Sequence, residues 1–284
     1  MALLPLFFIL SISAGNFLNS VSYKSPYGIT FPGYPAGRFG NGRILTDYLG
    51  VFQTRVNGPN LTVQIDSFEQ LIKQNVYSKS EVESSIIIVN TGANDYITFI
   101  LKDRNLFGLA KYIKSLVDEL TVNLKRIHSL GAEKIIVSLL QPVGCLPTIS
   151  VATLYNECID LLNNVPRDHN KIILQNMEDL NKESGKQVFR TLDLYNSFLS
   201  AIEDKQKSRQ ENSTLVNPLK PCCASLKAGY QCGKVDKNGK KKYTVCEKPE
   251  LSFFWDSVHP AQNGWYSIFK ELEPSLSQII GTNF

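Results

Sequence analysis

The clearest pattern in the chain is Ile86-Ile87-Ile88-Val89-Asn90, an unbroken β-branched run that suits a parallel strand buried on both faces. Residues 135–140 repeat that pattern, and residues 187–193 predict a third strand. Between them, apolar residues fall at helical spacing. Leu106, Leu109, Ile113, Leu116, Leu120, Leu124 and Ile127 share one face and run into Leu130-Gly131, a C-cap signal. A second helix is expected from about residue 153 to 182. Upstream, residues 44–49 start a short helix, and residues 61–74 a longer one with Leu61, Ile65, Phe68, Leu71 and Ile72 on one side. Residues 268–280 form an amphipathic run that closes the chain, and if Pro260 opens its helix, His259 sits at the positive end. Strand, helix, strand, helix, strand reads as α/β with a parallel sheet.

The segments between these elements hold the candidate chemistry. Residues 15–43 are rich in turns and end in Arg38-Phe39-Gly40-Asn41-Gly42-Arg43, whose glycines permit close backbone approach to a ligand. The spacing fits neither a dinucleotide-binding loop nor a phosphate-binding P-loop. Thr91-Gly92-Ala93-Asn94-Asp95-Tyr96 reads as a turn at the carboxyl end of the first predicted strand, the edge at which parallel sheets build their sites. Phe253-Phe254-Trp255-Asp256-Ser257-Val258-His259-Pro260 carries one of only three histidines in 284 residues, with a carboxylate three positions upstream. Such a carboxylate can fix the imidazole tautomer and leave the other ring nitrogen as a base.

Composition changes this picture little. The chain is 43% hydrophobic and 20% charged, with a formal net charge of +4. The basic cluster at 234–242 lies among Gly and Asn and reads as a solvated loop, so no nucleic-acid partner is expected. Six cysteines (Cys145, Cys158, Cys222, Cys223, Cys232 and Cys246) suggest disulfides in an oxidising compartment, with the pairing left open. No CxxC pair and no nearby His supports zinc, so no metal or cofactor is expected. Asn60 and Asn212 head glycosylation triplets, which agrees with an extracellular protein. Residues 1–14 read either as a secretory leader that lacks a basic start or as a surrogate first strand; residues 15–284 read as one domain. No other segment approaches a membrane span.

In order along the chain, PAGRFGNGR, GANDY and FWDSVHP, with PVGCLP and the CC…C…C segment between them, resemble the plant GDSL esterase/lipase family of the SGNH hydrolases. The resemblance implies a three-layer, flavodoxin-like parallel sheet flanked by helices, and a serine hydrolase acting on small acyl or lipid esters. It assigns His259 as general base, Asp256 as its orienter, and Gly37 (backbone N–H) and Asn94 (side chain) as oxyanion donors. A donor on a tight strand-end turn is preorganised toward developing negative charge, which agrees with that assignment.

Two blocks depart from the family pattern. The nucleophilic serine should stand six residues before Asn16 of Gly15-Asn16, but Leu10 occupies that position. Ser11 and Ser13 are offset from it, and Ser257 lies between the dyad partners. After Asp47 a further strand and a glycine-rich segment are missing, so the first and second strands are expected to be absent or substituted. Three readings follow: an ester hydrolase of this type, a non-catalytic relative that binds an acyl ester, lipid or acylated glycan, or a truncated product. Of the other special residues, His128 is expected to be solvated and His169 structural. Arg38 and Arg43 are expected against loop carbonyls, with an anionic group as the alternative partner; Asp95 is expected to brace its own turn, and Phe254 and Trp255 to lie in the core.

Overall fold

β1 (Phe7–Ser11) lies parallel to β2 (Ile86–Asn90), with Leu10 opposite Val89 and Ser11 opposite Asn90. A computed structural model describes residues 7–11, 20–48, 60–102, 108–211, 216–227 and 231–280. β3 (Ile135–Ser138) pairs with β2, and β4 (Phe189–Leu192) with β3, all parallel, so the sheet order is β1-β2-β3-β4. The segment read as leader or surrogate strand thus supplies β1, which forms an edge among the described residues. The expected loss after Asp47 falls at 49–59, outside those residues.

The helices in chain order are α1 (Leu45–Tyr48), α2 (Leu61–Lys73), α3 (Lys79–Ser84), α4 (Ala93–Lys102) and α5 (Leu109–Ser129). Then come α6 (Pro147–Ser150), α7 (Asp160–Ser184), α8 (Leu194–Glu211) and α9 (Gln262–Ile280). α2 packs on α5 and α5 on α7, while α1 and α8 pack on α9; both groups reach the sheet. Ile113, Val117, Leu120, Leu124 and Ile127 form the buried stripe of α5, as their spacing requires. Buried β2 and β3 complete a continuous core between the layers.

Several boundaries differ from the expectation for identifiable reasons. The GANDY segment is not a plain turn: after Gly92, with φ +99°, it enters α4 at Ala93. α7 starts seven residues later than expected, because Leu154 and Tyr155 adopt left-handed backbone and the Cys145–Cys158 disulfide holds the preceding loop. Pro260 does not open α9, which begins at Gln262, since Ala261 N–H is taken by the Phe253 carbonyl. α8 was not foreseen; its weak amphipathicity hides it among polar residues. The cysteine loop also contains an antiparallel pair, β5 (Cys223–Ser225) and β6 (Tyr243–Val245).

The cysteines form three disulfides: Cys145–Cys158, Cys222–Cys246 and Cys223–Cys232. The latter two belong to a second small core with Tyr27, Tyr243, Trp255 and Ala261. Cys222 N–H donates to the Phe254 carbonyl (3.1 Å) and Cys223 N–H to the Trp255 carbonyl (2.6 Å). The disulfide unit is therefore fastened to the Asp256–His259 segment. His128 is not simply solvated: its Nδ1 lies 2.8 Å from the Ala132 carbonyl and its ring meets Phe189 edge-on.

Candidate active site

Residues 253–261 fold as a loop braced by two hydrogen bonds of its own and one from α6. Trp255 N–H donates to the His259 carbonyl (2.8 Å), and Ala261 N–H to the Phe253 carbonyl (2.8 Å). Thr148 N–H, from α6, donates to the Ser257 carbonyl (2.8 Å). Phe253, Phe254 and Trp255 are buried, which fixes the loop's root in the two cores.

At its tip, Asp256 is buried and accepts from Val258 N–H (2.9 Å) and His259 N–H (2.8 Å). The His259 Nδ1 lies 3.0 Å from each carboxylate oxygen. A carboxylate only accepts, so Nδ1 carries the proton and Nε2 is the basic nitrogen. Burial pushes the Asp256 carboxyl up, but the His259 ring and the two backbone donors outweigh it and hold the group below the usual carboxylate range. The carboxylate remains charged where an imidazolium would form.

Tyr27 completes this arrangement, and sequence reasoning missed it. Its buried O–H donates to Asp256 Oδ2 at 2.8 Å. Burial, then the Asp256 charge and this hydrogen bond, raise its pKa far above the ordinary phenol value, so it stays a donor. The available signal was a tyrosine in the Pro26-Tyr27-Gly28 turn, a place where an aromatic needs an internal anchor.

The Gly-rich loop packs against the same segment. Phe39 stacks on the His259 ring, with centroids 4.6 Å apart and planes 21° apart. Asn41 Oδ1 accepts from Gln262 N–H (2.8 Å), and Gln262 Oε1 accepts from Arg43 N–H (2.9 Å). Arg38 forms a two-pronged pair with Asp47 rather than meeting loop carbonyls, and Arg43 lies over the Phe31 ring.

Gly37 has φ +79°, which strains any residue with a side chain, and a Cβ there would lie 2.5 Å from the Tyr23 ring. Its N–H donates to the Ser22 carbonyl at 3.2 Å. In this structure the amide expected as an oxyanion donor is therefore engaged within its own loop. Asn94, on the first turn of α4, is exposed, and its side chain makes no hydrogen bond among the described residues. Behind that turn, Tyr96 O–H meets His169 Nδ1 at 2.8 Å. Burial lowers the His169 pKa to about 4, so it is a neutral structural residue.

Gly37, Phe39, Asn94, Asp95 and His259 all border one cavity of about 220 Å³, which Ile44, Leu45, Ile88, Leu194, Phe198 and Trp265 line with apolar surface. Asp95 is half-buried there; burial raises its pKa, its own backbone N–H opposes this, and Glu119 adds to the rise. The dyad, the two oxyanion candidates and an apolar wall thus meet at the carboxyl ends of β2 and β3. Leu10 ends one residue short of that edge in β1, and Asn212 falls outside the described residues. Asn60 is exposed, and its side-chain oxygen caps α2 at Val63 N–H (3.0 Å). No three His, Cys, Asp or Glu side chains converge as metal ligands among the described residues, and no described helix is long and apolar enough to cross a membrane.

Comparison with known proteins places this geometry in context. The sequence model of the GDSL-like Lipase/Acylhydrolase family matches residues 11–272. A GDSL esterase/lipase of Arabidopsis thaliana is 39% identical over 293 residues, covering 91% of this chain and 81% of that protein. A second from the same plant is 38% identical over 303 residues, covering 93% and 85%. A third is 34% identical over 297 residues, covering 91% and 82%.

Proposed function

Because the chain belongs to the GDSL-like lipase/acylhydrolase family, we propose that its cavity binds a small acyl ester, on which the Asp256–His259 dyad acts as orienter and general base. One observation carries this reading: His259 borders the same cavity as Asn94 while Nδ1 is held 3.0 Å from both oxygens of a buried carboxylate. The apolar wall takes the acyl group, and the Asn94 side chain faces developing charge on the carbonyl oxygen. Gly37 N–H joins it only on leaving the Ser22 carbonyl.

Turnover by a serine route is expected to be weak, since Leu10 stands where the family places its nucleophile. In a well-studied serine protease, loss of the nucleophile cost about 10⁶ in kcat, roughly 8 kcal/mol of transition-state stabilisation. The second reading, a binding protein without turnover, is favoured by that same residue. Three disulfides suit an extracellular location, and Asn60 leaves its amide nitrogen free for a glycan.

The test is hydrolysis of p-nitrophenyl acetate by the purified chain and by His259→Ala. Saturable turnover that is lost in the variant supports the ester-hydrolase reading. Saturable binding of the ester without turnover selects the binding protein.

A further inference from the structure

Among the described residues, the hydrogen bonds of His259 all lie on one side. Nδ1 and the backbone N–H go to Asp256, and the carbonyl accepts from Trp255. Nε2 has no hydrogen-bond partner among the described residues, although the ring borders the cavity. Among the described residues, the hydroxyl-bearing residues that line the same cavity are Thr46, Thr91 and Ser138, and none is hydrogen-bonded to the ring. A nucleophilic hydroxyl needs a separation of about 3 Å from its base. A water molecule needs only room and polar partners, and its share of liquid volume is about 30 Å³. The cavity, at about 220 Å³, has space for a water beside a short acyl group.

We propose that the nucleophile in this pocket is water, deprotonated directly by His259 Nε2, and that hydrolysis proceeds with no covalent acyl-enzyme. This rests on the ester-binding reading above. The water oxygen bonds to the ester carbonyl carbon while one of its protons passes to Nε2. The carbonyl π electrons move onto oxygen, beside Asn94, and Asp256 balances the imidazolium. Collapse of the tetrahedral intermediate breaks the bond to the alkoxy oxygen, which takes the proton from Nε2 and leaves as the alcohol. A carboxylic acid and an alcohol result, and the dyad returns to its starting state. The route asks nothing of β1, where Leu10 takes the place of the family's nucleophile.

Positioned general bases contribute about 10²–10⁴ in rate. We therefore expect slow p-nitrophenyl acetate hydrolysis that falls by at least about 100-fold in His259→Ala. Hydrolysis should survive pretreatment with a fluorophosphonate probe. Acid-quenched samples should show no acetyl adduct on the intact protein by mass spectrometry. His259→Gln, with circular dichroism to confirm folding, repeats the test with a polar side chain of similar reach. An acetyl or phosphonyl adduct on a serine, with activity lost in Ser11→Ala or Ser13→Ala, overturns the water route while leaving an ester hydrolase. Turnover that is absent, or unchanged in both His259 variants, overturns the ester-hydrolase reading and the water route with it.

Discussion

The Tyr27 O–H donates to Asp256 Oδ2 at 2.8 Å across 229 positions of sequence, joining the turn-rich N-terminal loop to the dyad. Without it, one oxygen of a buried carboxylate would rely on the His259 ring alone. Tyr27→Phe removes only the donor and keeps the ring against Phe39 and Trp255. A lost hydrogen bond to a buried charge costs about 1.5–3 kcal/mol. Urea unfolding should show a lower midpoint at an unchanged slope, the product of shift and slope matching that free energy; an unchanged midpoint would make the contact energetically idle.

The disulfide unit is predicted to govern the order of the dyad loop. Cys222 and Cys223 donate their amides to the carbonyls of Phe254 and Trp255, directly before Asp256. A native disulfide in a small unit contributes about 2–4 kcal/mol. Replacing Cys223 and Cys232 with serine should raise amide hydrogen exchange across 253–259 while leaving β2 and β3 protected. Uniform protection in both segments would show that the loop holds itself.

α9 lies so close to the same loop that a single methyl group is excluded. A Cβ on Gly264 would fall 2.0 Å from the Phe253 carbonyl oxygen. Gly264→Ala must push the helix or the loop aside, and overpacking of this kind costs about 1–3 kcal/mol, well beyond any helix-propensity gain of about 1 kcal/mol. The melting temperature should fall; a rise would mean that the two segments are not in contact.

His169 makes stability pH-dependent in a defined window. It is buried, and its pKa drops from the free value of 6.5 to about 4. The unfolded chain therefore binds the extra proton first as pH falls. The His169 contribution is complete above about pH 6.5 and is lost progressively toward pH 4, up to about 3 kcal/mol in all. Stability curves for the wild type and His169→Gln should converge as pH falls through that window. Parallel curves would show that His169 is solvated.

Strong local patterns made the sheet readable. β2 and β3 are unbroken apolar runs, and the buried stripe of α5 repeats at helical spacing, so period alone identifies them. α8 and the β5–β6 pair were illegible because their placement comes from disulfides and neighbouring helices rather than from any pattern of their own. At the site, Asp256 and His259 were legible because their partnership is local, three positions apart. Tyr27 and Phe39 were not, since each reaches the dyad through a contact more than two hundred residues away in sequence. The engagement of Gly37 N–H by Ser22 likewise depends on loop geometry that spacing does not encode.

The claim that Asp256 and His259 work as one unit is tested most directly by kcat for p-nitrophenyl acetate in Asp256→Asn. The amide oxygen can still accept from the Val258 and His259 backbone N–H groups, so the loop is kept. The amide cannot stabilise the imidazolium or hold Nδ1–H as a carboxylate does. We predict a fall in kcat of at least about 100-fold with KM little changed. A kcat equal to that of the wild type would contradict the account.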